Sequence, residues 1–142
     1  MRCIDRSQRG RLSLEHRQPL SAVRFDKVAA RTATEPQRQK MTTMLERMAQ
    51  AAQGSLDPLE TDVDFHLAIL EASNNQFFYN MSPMIETALH FSIRFTNRQL
   101  KQRFASVEEH EIIYNAIAAR DQQKAATETR ELLSRALELM VE

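Results

Sequence analysis

Four histidines, His16, His66, His90 and His110, are the residues from which chemistry would be built. His66 follows Asp62 by four positions in the run Asp62-Val63-Asp64-Phe65-His66. On a helix, positions i and i+4 lie about 40° apart around the axis and about 6 Å apart in space. A carboxylate and an imidazole placed in this way can share one divalent metal ion, as two histidines do in an H-x-x-x-H helix. His110 falls further along the chain, on an apolar stripe with Ile113 and Ile117. A cation held by Asp62, His66 and His110 would therefore pin two helices together. The same residues also have a plainer reading. An acid near a helix start is favourable to the helix dipole, Asp62 and His66 can form a simple capping pair, and His110 can be a hydrogen-bonded core histidine. Spacing alone leaves both readings open.

Catalysis is the competing class. Asp62, His66 and His110 around a cation with an open position could support metal-assisted hydrolysis. The chain has no Gly-rich phosphate loop, no cofactor motif, and no Ser or Cys nucleophile beside a base in a recognisable pattern. A third class is a purely structural helical module, in which Met41, Met44, Met48, Met81 and Met84 fill a core.

The elements that must position these residues are helices. The 142 residues include only two glycines and four prolines, which turns need and helices exclude. Ala, Leu, Glu, Gln, Arg and Met, all helix formers, are plentiful. A β-sandwich or barrel is disfavoured, and the expected class is an all-α antiparallel bundle of about six helices. Residues 1–13 carry Arg2, Arg6, Arg9 and Arg11 against Asp5 and read as a flexible basic tail or linker remnant. Residues 14–142 form the helical domain.

Pro19 suits the first turn of a helix that ends near Thr34. Thr34, Glu35, Pro36 and Gln37 then read as a capping box that opens a second helix, with Met41, Met44, Leu45, Met48 and Ala52 on its stripe and Gly54-Ser55 at its end. Asp57-Pro58 opens the third helix, striped by Leu59, Val63, His66, Leu67 and Leu70, and Ser73-Asn74-Asn75 breaks it. A long fourth helix is expected over about 76–103, with Phe77, Met81, Met84, Ala88, Phe91 and Phe95 on one face and a kink at Pro83. Ser106-Val107-Glu108-Glu109 caps the helix that carries His110. Asp121 caps the last helix, striped by Ala125, Thr129, Leu132, Ala136 and Met140.

Nineteen basic and nineteen acidic residues cancel. A free-standing nucleic-acid binder normally carries a basic excess, whereas near-zero net charge tolerates self-association. The single cysteine, Cys3, excludes a disulfide scaffold and suits a reducing cytoplasm. No apolar run approaches the ~20 residues of a membrane span, and Met1 to Arg6 shows no signal-peptide character.

An ordered set of motifs resembles a known family. Glu15-His16-Arg17-Gln18-Pro19-Leu20 is similar to an E-x-R-x-x-L-E start, and Val28-Ala29-Ala30-Arg31-Thr32-Ala33-Thr34 to an A-A-x-R-A-T stretch. Asp62 to His66, Ala72-Ser73-Asn74-Asn75, Glu109-His110 with Ala116-Ile117 and Asp121, and Ala125-Ala126 follow in order. Over about 14–140 the chain resembles the effector-binding domain, called FCD, of FadR-type members of the GntR superfamily of bacterial transcription regulators. The resemblance implies a six- or seven-helix bundle that forms a homodimer, acts in the cytoplasm and is not an enzyme. It implies a pocket in which an Asp and three His bind a divalent metal (Zn, Ni or Mn), and a small organic acid as effector. Asp62, His66 and His110 match three of the ligand positions. Arg17 matches an arginine that grips the effector's carboxylate, a task suited to a bidentate guanidinium. Asn75 joins the effector-binding set.

The sequence departs from the family pattern at three places. The fourth ligand should be a His eleven residues after Asp121, but that position is Leu132. Ser21 stands where the family has Glu. The winged helix through which such regulators touch DNA would not fit in thirteen residues. His90 and Arg94 lie opposite the expected apolar face of the fourth helix, on a solvated polar face or on one that meets the effector. The run from Ala88 to Arg98 resembles regulators of sugar-acid catabolism, which points to a sugar acid.

Overall fold

The computed structural model describes residues 20–100 and 106–141, and side chains within 23–98 and 106–138. Among the described residues there are seven helices and no strand. They are α1 (Leu20–Thr32), α2 (Glu35–Ala52), α3 (Pro58–Ala72), α4 (Gln76–Asn80), α5 (Ser82–Leu100), α6 (Val107–Ala118) and α7 (Gln122–Val141).

Local chemistry sets most of these boundaries. The Thr34 side chain accepts from the Gln37 backbone N–H, and the Gln37 side chain accepts from the Thr34 N–H. Each satisfies a backbone donor that the helix end would leave unpaired. Ser106 and Glu109 repeat the arrangement at α6, Asp57 caps α3 with Pro58 behind it, and Asp121 Oδ1 accepts from Lys124 N at 2.9 Å. Gly54 leaves α2 at φ +90°, a left-handed conformation that costs glycine nothing.

The expected fourth helix is two helices. Asn75 caps α4, the helix stops at Met81, and α5 restarts at Ser82. Pro83 therefore sits in a first turn, where a missing N–H costs nothing, and not at a mid-helix kink.

α1 packs against α3, α6 and α7, α2 against α3 and α6, and α5 against α3 and α7. α3 is buried around most of its circumference, through Thr61, Asp62, Val63, Phe65, Ala68, Ile69, Leu70 and Ala72. The core joins it to Ala29, Ala30 and Ala33 of the first segment, Met41, Leu45 and Met48 of α2, Ile113 and Ile117 of α6, and Ala125 and Leu132 of α7. The two family-like motifs lock one another. The Asn74 side-chain amide donates to the Thr32 carbonyl at 2.9 Å, and the Thr32 hydroxyl donates to the Ala72 carbonyl at 2.9 Å.

The apolar stripe expected to bury the fourth helix is largely exposed. Phe91 is 71% exposed, and Phe77 and Met84 are exposed as well. The bundle instead receives the side of α5 that carries Ile85, Leu89, Ile93 and buried Thr96.

Candidate metal centre

Asp62 lies on the second turn of α3, on the part of the helix surface that faces the bundle interior, and is buried. One turn later, His66 comes back over it with its Nε2 at 3.2 Å from Asp62 Oδ1. The third group arrives from α6. The Ser106–Glu109 capping box fixes the start of that helix, and His110 follows one turn in, with no solvent exposure at all. Its Nε2 lies 2.9 Å from the same Asp62 Oδ1, and its Nδ1 lies 2.7 Å from the Ser106 carbonyl oxygen. Phe65 stands edge-on to the His110 ring, with centroids 5.2 Å apart, and holds the imidazole in place.

Two imidazole nitrogens thus converge on one carboxylate oxygen, and one ligand atom from each of the three side chains lies within 4.8 Å of the others. A carbonyl can only accept, so His110 Nδ1 carries the proton in that contact. Its Nε2 is then either protonated as well, making an imidazolium, or a bare lone pair aimed at a carboxylate. The second arrangement is repulsive without a cation between the groups. Metal-binding histidines anchor one ring N–H in this way, to a backbone carbonyl or carboxylate, and leave the other nitrogen to the ion. The donor set therefore fits a divalent ion.

Without an ion, Asp62 and His66 pair as opposite charges. Burial pushes the Asp62 carboxyl up, but the hydrogen bonds and charges of His110 and His66 outweigh it and hold the group well below the usual carboxylate range. Burial pulls His66 down, and the Asp62 hydrogen bond and charge outweigh that and hold it above its ordinary value.

A further acid, marked by no sequence motif, completes the picture. Asp26, on α1, is 4% exposed and accepts a very short hydrogen bond from the Thr129 hydroxyl of α7. Desolvation raises its pKa to about 6, against the Thr129 hydrogen bond and the charges of His66 and His110, which lower it. Val23, Asp26 and Ala30 are three and four residues apart, so Asp26 lies on the buried side of α1. That periodicity was the available signal. Leu132 is 7% exposed and belongs to the hydrophobic core, one turn beyond Thr129.

The other expected residues are scattered. Arg17 and Ser21 lie outside the residues whose side chains are described, as do His16, Cys3 and the 1–13 segment. Asn75 is exposed at the start of α4, where its side chain accepts from the Phe77 and Phe78 N–H groups, so it is occupied as a cap. His90 is half-buried on α5, with Nδ1 3.8 Å from Glu60 Oε1 and Nε2 3.9 Å from Glu86 Oε1. It stands apart from the Asp62–His66–His110 set. Arg94 is exposed.

A family profile described as the FCD domain matches residues 27–135. The chain belongs to the FCD domain family. Among curated proteins, this FCD domain is similar to the probable HTH-type transcriptional regulator LgoR of Escherichia coli K12, with 32% identity over 83 residues. Those residues are 58% of this chain and 27% of the relative. Among solved structures, the fold matches Streptococcus agalactiae GntR with a TM-score of 0.66 at 20% identity, covering 98% of this chain and 62% of that one. The FCD domain thus spans about a quarter of the length of the regulator it matches. No helix among its described residues is long and apolar enough to cross a membrane.

Proposed function

We propose that this FCD domain is the ligand-sensing part of a bacterial transcription regulator of the GntR/FadR type, and that it binds a small organic acid, of the sugar-acid class, at a divalent metal. The observation that carries this reading is the convergence of His66 Nε2 and His110 Nε2 on the buried Asp62 oxygen. Asp62, His66 and His110 would hold the ion (Zn, Ni or Mn). When bound, the ion supplies a concentrated positive charge that can anchor a carboxylate. Arg17 would grip the far carboxylate oxygens. His90 and Arg94 on α5 and Asn75 at the start of α4 are further effector contacts in this reading.

The likeness to LgoR supports a regulatory role in the cytoplasm, with DNA contacted by a winged-helix domain outside this chain. Effector binding would favour one arrangement of the attached DNA-binding heads over another, which is all that a sensing domain has to do. The protein would act as a homodimer. The stripe of exposed Met84, Ala88 and Phe91 with half-buried Phe95 on α5 has the alternating spacing of four and three residues that a partner helix packs against. The role is binding and not catalysis.

The test is metal analysis of the purified chain together with thermal melting against a panel of sugar acids. Stoichiometric metal that is lost in His66→Ala and in His110→Ala, with a melting temperature raised by an acid, supports the proposal. A metal-free protein that still melts higher with sugar acids leaves a sensor without a metal. Neither effect leaves a structural module. Turnover of an ester or phosphate that disappears in His110→Ala overturns the non-enzymatic role.

A further inference from the structure

Asp26 is an anomaly in a helical core. A buried carboxylate loses its hydration and needs compensation by charge or by several hydrogen bonds. Asp26 has one neutral donor, the Thr129 hydroxyl, and among the described residues no donor reaches its other oxygen. Among the described residues no Lys or Arg pairs with it. The positive groups that act on it are His66 and His110, two of the three residues that would hold the cation. It sits on α1, the helix that packs against all three helices of the centre, α3, α6 and α7. The fourth position, on α7, offers only the hydrocarbon of Leu132.

We propose that Asp26 is the charge-balancing carboxylate of the metal centre, supplied by α1 where α7 supplies no fourth donor. This rests on the reading of Asp62, His66 and His110 as metal ligands. Two imidazoles that bind through lone pairs are neutral, so Asp62 and Asp26 together cancel the two positive charges of a divalent ion. The loaded centre is then electrically neutral inside the bundle, where an uncompensated charge is most costly. Without the ion, Asp26 is a buried acid with a single neutral partner. Asp26 is a positioning residue here: it acts on the cation through the field and through the Thr129-anchored edge of the site, outside the compact set of three ligand atoms.

The experiment is metal affinity by competition against a chromophoric chelator, for Zn, Ni and Mn, on the full chain and on Asp26→Asn, Asp26→Ala and Asp26→Glu, with melting of each metal-free protein alongside. Partners outside the ligand set typically change metal affinity 10–100-fold. Asp26→Asn and Asp26→Ala should fall by about that factor, Asp26→Glu should stay within a few-fold of the parent, and neither neutral variant should melt lower than the parent without metal. A structural role would do the reverse, lowering the metal-free melting temperature and leaving affinity alone. Parent-like affinity in both neutral variants overturns the proposal while leaving the three-residue site intact. A parent chain that binds none of the three metals overturns the site itself, and the role of Asp26 with it.

Discussion

Replacing Asp26 by Asn should destabilise the metal-free protein in mild acid, and that loss should be offset or reversed at neutral pH. Asp26 has its pKa raised from 3.8 to about 6 on folding. An acid with a raised folded pKa binds more protons folded than unfolded between those two values, so stability is lost as pH rises from about 4 to about 6 and is level above that. A shift of roughly two units at 1.36 kcal/mol each amounts to about 3 kcal/mol. Asn carries no such penalty. It keeps an oxygen for the Thr129 hydroxyl, but its amide hydrogens need partners, which costs about 1–3 kcal/mol at every pH. The diagnostic is therefore the slope. The stability difference, variant minus parent, should climb by about 3 kcal/mol between pH 4 and pH 7, crossing zero on the way. Urea unfolding in the presence of a strong chelator, at several pH values across that window, measures it. A difference that stays flat with pH, or one that falls, would refute the reasoning, because Asp26 would then be ionised and satisfied in the folded state.

Five further outcomes are expected. With chelator, the Asp62–His66 pair should contribute stability only within a window. The depressed pKa of Asp62 means its contribution is present above about pH 4 and lost as pH falls, and the raised pKa of His66 means its contribution is full below about pH 6.5 and lost as pH rises through the elevated value. Saturating metal should move the stability optimum upward, since bound imidazoles must be deprotonated; melting scans across pH with and without Zn check both statements. Leu132→His should tighten metal binding in the same chelator competition and lower metal-free stability by about 1–3 kcal/mol, because an imidazole replaces packed hydrocarbon in the core. Phe91→Glu removes a largely exposed ring that would bury roughly 140 Å² in a dimer, so it should weaken self-association by about 3 kcal/mol per copy, about 6 kcal/mol for the dimer, or more than roughly ten-thousandfold. Sedimentation at graded concentrations reads this, and an unchanged dimer would place the interface elsewhere. Thr34→Ala should cost about 1 kcal/mol in urea unfolding through loss of the capping box at α2.

Much of this molecule was legible because its signals are local. The caps at Thr34, Asp57 and Ser106 are each a few residues long, and the structure realises all three with the expected bonds. Asp62 and His66 share one helix at i and i+4, so their approach follows from helix geometry alone. His110 needed more. Forty-eight residues separate it from Asp62, so the stripe with Ile113 and Ile117 left their meeting open and the family resemblance favoured it. Two features were only faintly legible, for the same reason. Asp26 stands between Arg24 and Lys27 on the chain's polar pattern, and its burial depends on α3, α6 and α7 closing over α1. Periodicity likewise groups Met84, Ala88, Phe91 and Phe95 on one face of α5 but does not say what covers it, and the bundle receives a neighbouring face. The sequence places Pro83 at a kink inside one long helix, whereas the stop at Met81 puts it in the first turn of α5.

The central claim is that Asp62, His66 and His110 form a metal site in this FCD domain. The most direct measurement is the metal content and zinc-binding isotherm of the chain purified without an affinity metal, beside His110→Ala. The account predicts one ion per chain, bound at the parent site and reduced at least tenfold in affinity by the substitution, since one of three protein ligands is gone. A parent chain that binds no Zn, Ni or Mn at one equivalent, or an ion retained undiminished by His110→Ala, would contradict it.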